Sequence, residues 1–252
     1  MDSNKETKEI YIVNFSGGKD STYMLFNLIE KGYPIDFIVM AETGVEYPEI
    51  IEHTKLVARK LSKYGYHIII VKNPCDMICY MTKYKRKKGK QIGEPLGFPS
   101  IKSRWCTSNL KNNVIKRFRK EISSMYEDVV FIDYIGYSYD EQDRAERLLK
   151  NETPKQKYLF PLIEWKITEQ EALQWCLNNG FTWNGLYNYM TRVSCYMCPL
   201  QNNDDIKYLI TQRPELWNKI KEIEQQLKSK GVKQWKFKPN YSTTELEEKL
   251  KP

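Results

Sequence analysis

The sequence predicts an α/β fold in which a parallel β-sheet carries helices on both faces. Three observations lead to this prediction. An apolar, β-branched run at Ile10–Phe15 passes through a glycine turn into a segment with helical periodicity. Further apolar runs at Ile35–Ala41, His67–Val71 and Val129–Ile135 alternate with helical patterns. Such alternation is typical of parallel sheets with right-handed crossovers, and helices alone follow it toward the C-terminal end.

The turn after the first strand has the composition of a phosphate-binding loop. It spans Ser16–Ser21 and reads SGGKDS. Backbone N–H groups at a helix N-terminus attract anions, and Gly17 and Gly18 allow positive φ angles and close approach of a ligand. The two serine hydroxyls add donors, and Lys19 adds positive charge. Asp20 would repel a phosphate, so we expect its carboxylate to hold Mg²⁺ or to orient the loop.

The second strand, Ile35–Ala41, runs directly into Glu42, and Pro48 then begins a long helix. Ligands of parallel sheets bind at the carboxyl ends of the strands. Glu42 is therefore placed where its carboxylate could meet a ribose, a metal or an attacking group.

Residues Asn73–Ser103 interrupt the alternation, because glycine, proline and lysine are frequent there and the apolar periodicity is lost. This predicts a long mobile loop of the kind that often covers a site. The formal net charge is +8, and basic residues concentrate in Lys83–Lys90, Lys111–Lys120 and Lys228–Lys238. Such a surface favours a polyanion such as a nucleotide, tRNA or DNA, although an ordinary solvated lysine surface explains the same charges.

The later elements predict the domain organisation. Tyr158–Trp165 is extended and contains a proline, and Thr168–Asn179 is a helix with a capping-box pattern at its start. We expect residues 1–165 to form the α/β domain with the phosphate loop, and residues 166–252 to form a helical subdomain packed on it. No segment approaches the roughly twenty apolar residues of a membrane span. The polar first ten residues show no secretory signal, so we expect a cytoplasmic protein with no membrane contact.

Six cysteines in such a chain predict thiols, a metal or a cluster rather than disulfides. Cys195 and Cys198 form a CxxC motif, which suits a redox dithiol, half of a zinc site, or part of an iron–sulfur ligand set. Cys106, at the start of a helix, is the natural third ligand. Cys75 or Cys79 could supply a fourth.

Several motifs, taken in order, resemble those of the phosphoadenosine-phosphosulfate (PAPS) reductase family of PP-loop proteins. Each match is modest alone, but the ordered set covers most of the chain. The matching segments are SGGKDST at 16–22, ETGVEYPE at 42–49, RWCT at 104–107, GYSYDEQDR at 136–144, YLFPLIEW at 158–165 and SCYMCPL at 194–200.

The resemblance implies a Rossmann-like sheet of the adenine nucleotide α-hydrolase type. It further implies ATP or a sulfonucleotide in the cleft, and sulfur or adenylyl chemistry with Mg²⁺. The implied nucleotide-binding residues are Ser16, Gly17, Gly18, Ser21, Thr22, Met40, Glu42 and Gly136, with the adenine near Met40 and Gly136. The implied catalytic residues are Lys19, Asp20, Arg104 and Arg144, whose arginines would neutralise charge on the phosphates.

Two departures from the family bear on the reaction. Its thiol-dependent reductases use a cysteine in a C-terminal tail, whereas this chain ends TTELEEKLKP. Its cluster-containing reductases carry a Cys-Cys pair where this chain has Trp105 before Cys106. The remaining cysteines resemble those of PP-loop sulfur-transfer enzymes with a [4Fe-4S] cluster, which act on tRNA or DNA. The basic run at Lys83–Lys90 would suit such an acceptor.

The main expectation is thus a PAPS reductase-like enzyme with an iron–sulfur cluster on Cys106, Cys195 and Cys198. An ATP-dependent thiolation enzyme that acts on tRNA or DNA is the alternative within the same superfamily. A nucleotide sensor without catalysis, in which the cysteines hold a structural Zn²⁺, is the alternative from another functional class. A brown anaerobic preparation would favour a cluster, and a colourless one with stoichiometric zinc would favour the sensor.

Overall fold

A computed structural model describes residues 7–89, 91–193 and 195–250. The strands are β1 (Lys8–Asn14), β2 (Phe37–Glu42), β3 (Ile68–Lys72), β4 (Val129–Ile135) and β5 (Gln156–Leu159). They form a five-stranded sheet in the order β3-β2-β1-β4-β5. The pairs β1–β2, β1–β4 and β4–β5 are parallel. The predicted α/β fold with a Rossmann-like parallel sheet is confirmed.

The helices lie between the strands and, after β5, follow one another. They are α1 (Lys19–Glu30), α2 (Pro48–Leu61), α3 (Met77–Thr82), α4 (Asn113–Ser123), α5 (Gln142–Leu149), α6 (Pro161–Glu164), α7 (Glu169–Asn178), α8 (Asn203–Gln212), α9 (Pro214–Ser229) and α10 (Thr243–Leu250). A π-helical turn, Thr107–Asn112, leads into α4. Within the three described ranges, no helix combines the length and apolar character that crossing a membrane would require.

Apolar residues on both faces of β1 explain why this strand lies in the core. Ile10 and Ile12 point to one face, where they join a buried cluster with Phe118 and Ile122 of α4. Successive side chains of a strand alternate between faces, so Val13 points the other way, and it is equally buried. Burial on both faces accounts for the nearly continuous apolar runs of the strands.

The chain forms two compact units, each assembled from separate stretches. Of the described residues, the sheet unit contains those up to Ala41, together with Pro48–Val71 and Val114–Asn184. The second unit contains the described residues of Glu42–Tyr47 and Lys72–Asn113 and those from Gly185 onward.

This division differs from the predicted boundary between residues 165 and 166, which followed the order of the elements. In the structure α7 belongs to the sheet unit. Trp175 of α7 packs on Tyr23 and Phe26 of α1, with ring centroids 5.2 and 6.4 Å apart.

The segment Asn73–Ser103, predicted as a mobile loop, is instead partly helical and packed within the second unit. Asp76 caps α3 by accepting a hydrogen bond from Cys79 N at 2.8 Å. Phe98 is buried and meets Phe237 edge-on at 5.6 Å. A Cβ on Gly97 would lie 2.4 Å from Gln234 O, so backbone packs directly on backbone there. The sequence concealed this packing because its partners lie more than 130 positions away.

Candidate functional site

The predicted phosphate loop joins β1 to α1 at the point where the order of the strands reverses. The chain runs from β1 outward to β2 and β3 and then returns to β4 on the other side of β1. Parallel sheets bind ligands at such a switch point, outside the carboxyl ends of the strands. Gly136, which follows β4, packs so closely on α1 that a Cβ would lie 3.1 Å from Ser21 N. The structure thus brings Gly136 against the loop, and its role in binding a nucleotide stays a prediction.

The two loop glycines have different roles. Gly17 has φ +76°, and a Cβ there would lie 2.8 Å from Ile50 Cγ2. Gly18 is the N-cap of α1 in an extended conformation with φ −85°, so the expected need for positive φ applies to Gly17 alone. At Gly18 the absence of a side chain leaves the start of the helix open to a ligand.

The loop hydroxyls hold the shape of the loop. Ser16 Oγ and Ser21 Oγ lie 3.0 Å apart, and Ser21 Oγ donates to Gly18 O at 3.0 Å. Thr22 Oγ1 donates to the same carbonyl at 2.9 Å. Ser16 Oγ also accepts a long hydrogen bond from Gly18 N, at 3.4 Å. Because these hydroxyls serve the loop itself, the other backbone N–H groups at the start of α1 are the natural donors to an anion.

Lys19 and Asp20 form an ion-pair cluster with a residue that sequence reasoning missed. Lys19 is 4% exposed, and its Nζ lies 2.9 Å from Asp20 Oδ2 and 2.9 Å from Glu169 Oε2. Burial lowers the pKa of Lys19, but the carboxylates of Asp20 and Glu169 outweigh burial and raise it overall. Burial raises the pKa of Asp20 despite Lys19. The ammonium group thus offsets the repulsion that Asp20 would exert on a phosphate.

Met40 and Arg144 also lie in the sheet unit. Met40 is 5% exposed and packs under Gly17, which leaves little of its side chain for an adenine ring. Arg144 is paired with Glu141, and its guanidinium carbon lies 4.2 Å from the ring centroid of Tyr137. About a third of the Arg144 side chain is exposed.

Two other predicted site residues, Glu42 and Arg104, belong to the second unit. Glu42 ends β2, and one of its carboxylate oxygens lies 3.9 Å from Lys72 Nζ. Arg104 is exposed, and its carbonyl accepts a hydrogen bond from Thr107 N at 3.1 Å.

The second unit joins the ETGVE segment to the CxxC segment. Thr43 Oγ1 donates to Glu46 Oε1 at 2.5 Å and lies 3.2 Å from Cys195 Sγ. The hydroxyl proton of Thr43 is used by the carboxylate, so the Cys195 thiol donates to Thr43. Burial raises the pKa of Cys195 to about 11, and the charge of Glu46 adds to this. Cys195 is therefore a neutral thiol in this arrangement.

Cys106 and Cys198 lie close enough to interact. Burial, followed by the charge of Cys198, raises the pKa of Cys106, and Lys111 opposes the rise. Lys111 opposes the rise at Cys195 as well, so it is a cation near two thiols that sequence reasoning did not single out.

The three thiols have the soft donor chemistry of an iron–sulfur or zinc ligand set. No three His, Cys, Asp or Glu side chains of the described residues come together in a way that could hold a metal ion. The ligand set Cys106, Cys195 and Cys198 therefore stays a prediction.

The expectation of no disulfides is wrong for one pair. Cys75 and Cys79 form a disulfide with their Cα atoms 5.3 Å apart. Successive turns of helix bring residues four apart together, and Cys79 lies in the first turn of α3 with Cys75 just before it. While paired, neither sulfur can serve as a fourth metal ligand. Cys106, Cys176, Cys195 and Cys198 are free thiols.

Comparison with known proteins gave distant relatives, and no family model matches the chain. The chain is similar to two uncharacterized proteins of Methanocaldococcus jannaschii. MJ0973 is 28% identical over 219 residues, or 83% of this chain and 46% of that protein. MJ0066 is 27% identical over 253 residues, or 93% of this chain and 47% of that protein. The chain thus spans about half the length of the curated relatives it matches.

Among solved structures, the chain is similar to the U34-tRNA thiolase NcsA from Methanococcus maripaludis with its [4Fe-4S] cluster. The identity is 19%, the TM-score is 0.39, and the match covers 71% of this chain and 60% of the thiolase. Likeness at this level assigns no function.

Proposed function

We propose that this chain is an enzyme that binds ATP or a related adenine nucleotide, with its phosphates on the Ser16–Ser21 loop. The observation that carries this proposal is the position of the loop at the strand switch point, with Gly136 packed against it. Gly18 leaves the start of α1 open, and the helix dipole favours a negative charge there. Asp20, partly neutralised by Lys19, would share a Mg²⁺ ion with the phosphates.

Within this function, ATP-dependent sulfur transfer is supported better than sulfonucleotide reduction. In sulfur transfer an acceptor oxygen attacks the α-phosphate of ATP and pyrophosphate leaves. A sulfur nucleophile then displaces AMP from the adenylated acceptor. The free thiols Cys106, Cys195 and Cys198 lie within one unit and could serve such chemistry. The departures from the reductase motifs, above all Trp105 before Cys106, favour the same choice.

The second unit supports a polyanionic acceptor, because two basic runs that are distant in sequence meet there. Arg86 Nη2 donates to Gln234 Oε1 at 3.0 Å. Lys230 Nζ donates to Thr82 O at 3.4 Å. The first contact joins the Lys83–Lys90 run to Lys228–Lys238, and the second attaches Lys230 to the residue just before the first run. Lys90 lies outside the described residues. We propose that tRNA or DNA binds this joint basic surface.

Arg86 stabilises the structure of that surface through its own hydrogen bonds. Its guanidinium also donates to Leu96 O at 2.9 Å, so replacing Arg86 would disturb the packing of the segment. Lys85, Lys87 and Lys88 are exposed and are the better probes of a polyanion.

Pyrophosphate release tests the reaction. With Mg²⁺, ATP and a total tRNA or DNA acceptor, the sulfur-transfer proposal predicts pyrophosphate release that depends on Asp20 and is lost in Asp20→Ala. Release of sulfite from a sulfonucleotide, without pyrophosphate from ATP, would instead support reduction. Iron, sulfide and zinc analysis of anaerobically purified protein tests the predicted cluster.

The salt dependence of binding tests the partner. Replacing Lys85, Lys87 and Lys88 by Ala should lower the slope of log K against log salt by roughly two to three, since each phosphate contact contributes about 0.7–0.9. The matched control replaces three exposed lysines of the sheet unit, Lys63, Lys150 and Lys157. Equal slopes for the two triple variants would contradict a role for this surface.

A further inference from the structure

Two aromatic side chains of the sheet unit hold the phosphate loop from within the core. Trp183 Nε1 donates to Gly17 O at 2.8 Å. His53 Nε2, from α2, lies 2.9 Å from Thr22 Oγ1. The two rings stack with their centroids 4.1 Å apart, and the residues are only 2% and 3% exposed. We call His53 and Trp183 the anchor pair.

The backbone at Trp183 is held in an unfavourable conformation. Trp183 has φ +46° and its neighbour Asn184 has φ +50°. Bulky residues rarely adopt a left-handed conformation, and those that do are fixed by their surroundings, commonly at functional sites. Here the surroundings are the Gly17 carbonyl and the His53 ring. Gly17 is itself left-handed, so the loop and its support are joined through two unusual backbone positions.

The hydrogen bonds define the tautomer of His53. Gly18 O can only accept, so Thr22 Oγ1 donates its proton to that carbonyl. Thr22 must then accept from the ring, which places the imidazole proton on Nε2. The ring is neutral, because burial lowers the pKa of His53 to about 3. A chain of donors thus runs from His53 through Thr22 to Gly18 O.

His53 Nδ1 is consequently an acceptor, and no described residue hydrogen-bonds to it. His53 and Trp183 line a cavity of about 210 Å³, but Nδ1 itself is buried and is not exposed to that cavity.

These contacts orient the backbone donors of the loop. In a trans peptide the C=O of one residue and the N–H of the next point in opposite directions, and the described residues contain no cis peptide. Holding Gly17 O on Trp183 therefore turns the Gly18 N–H away from the anchor pair, to the side where it makes a long hydrogen bond of 3.4 Å to Ser16 Oγ. Holding Gly18 O on Thr22 likewise turns the Lys19 N–H away from Thr22.

We propose that His53 and Trp183 are positioning residues, which aim the amides at the start of α1 toward a phosphate without touching it. The inference rests on the proposed nucleotide site, since it assigns these amides to the phosphates of that ligand. It predicts that the exchange rate of the loop amides and the affinity for nucleotide change together when the anchor pair is altered.

Variants of the full chain separate the hydrogen bonds from the packing. Trp183→Phe keeps an aromatic ring and removes the donor to Gly17. His53→Gln keeps a donor near the position of Nε2, whereas His53→Leu removes it. The matched controls are Trp175→Phe, which packs on α1 without a bond to the loop, and His67→Leu, which is exposed.

Two measurements are made on every variant. Hydrogen exchange of the amides of residues 16–22 is followed without nucleotide, and the affinity for Mg²⁺–ATP is measured by calorimetry. Loss of one net hydrogen bond changes an equilibrium constant by about 3- to 10-fold. Trp183→Phe and His53→Leu should accelerate exchange and weaken binding by that factor or more. His53→Gln should recover most of the loss, and the controls should match the wild type.

The outcomes distinguish this inference from the proposed function. If Trp183→Phe and His53→Leu show wild-type rates of amide exchange and wild-type affinity for Mg²⁺–ATP, the positioning role is overturned while nucleotide binding stands. If His53→Gln is as impaired as His53→Leu, the donor role of Nε2 is overturned. If the wild type binds no ATP, the proposed function fails and the assignment of these amides to a phosphate fails with it; faster exchange in the variants then shows only that the anchor pair holds the loop. Should His53→Leu fail to fold, the positioning role is tested by comparing Trp183→Phe with Trp175→Phe in both measurements.

Discussion

Replacing Gly17 by alanine tests the geometry of the phosphate loop, and Gly32→Ala is a matched control. Both glycines are left-handed, with φ +76° and +69°. Alanine in that conformation costs roughly 1–2 kcal/mol at either position. At Gly32 a Cβ would meet nothing within 4 Å, whereas at Gly17 it would lie 2.8 Å from Ile50 Cγ2 and 3.3 Å from Thr54 Oγ1. Overpacking of this kind adds about 1–3 kcal/mol.

The expected losses of unfolding free energy are therefore about 1–2 kcal/mol for Gly32→Ala and about 2–5 kcal/mol for Gly17→Ala. Urea unfolding measures this difference, and calorimetry with Mg²⁺–ATP measures its consequence at the loop. Gly32→Ala should bind ATP as the wild type does, whereas Gly17→Ala should bind more than tenfold more weakly because the loop must shift. Equal destabilisation together with equal ATP affinity would refute the argument.

Three further predictions concern the Lys19–Glu169 ion pair, the imidazole of His53 and the Cys75–Cys79 disulfide. Glu169→Gln removes one of the two carboxylates on Lys19 Nζ, so we expect a lower pKa for Lys19 and a loss of about 1 kcal/mol in urea unfolding; unchanged stability would mean that the pair contributes nothing. The pKa of His53 is about 3 when folded and about 6.5 when unfolded, so protons favour the unfolded state between these values. Stability should fall with pH below 6.5 by up to about 1.4 kcal/mol per unit, and His53→Gln should flatten that slope; an identical slope in the variant would contradict the assignment. Thiol titration of the denatured, unreduced chain should find four thiols rather than six, because Cys75 and Cys79 are paired; six would refute the disulfide.

Local patterns predicted the elements well where the structure follows local rules. The apolar runs mark β1, β2, β3 and β4 within a few residues. The capping box predicted at the start of Thr168–Asn179 is present in α7, where Thr168 and Glu171 form it. The prediction that Tyr158–Trp165 is extended is correct only for its first residues, which belong to β5, because Pro161 begins the short helix α6. Proline suits the first position of a helix as well as an edge strand.

The rest of the site depends on residues that lie far apart in sequence. Glu169 reaches Lys19 across 150 positions, and Trp183 reaches Gly17 across 166. No local periodicity signals either contact, because each depends on how α7 and the chain after it pack on α1 and α2. The Cys75–Cys79 disulfide was missed for a different reason. Disulfides are rare in proteins of the cytoplasm, so none was expected, although a spacing of four residues lets one helical turn bring two cysteines together.

The composition of the phosphate loop, by contrast, was readable directly. Glycine, serine and lysine between an apolar strand and a helix are typical of anion-binding turns, so the sequence predicts a phosphate site here, and that assignment stays a prediction. What composition did not reveal is that the two glycines differ, since φ depends on the contacts of Gly17 with α2.

Calorimetric titration of Mg²⁺–ATP into the wild type and Gly18→Val tests the central claim most directly. Gly18 has φ −85° in an extended conformation that valine can adopt, so the substitution adds a side chain at the start of α1 without left-handed strain. The wild type should bind one nucleotide per chain. Gly18→Val, with an unchanged circular dichroism spectrum, should bind none, because the side chain blocks the approach of the phosphates to the backbone. Wild-type affinity in Gly18→Val, or no binding by the wild type itself, would contradict the assignment of the Ser16–Ser21 loop as a nucleotide site.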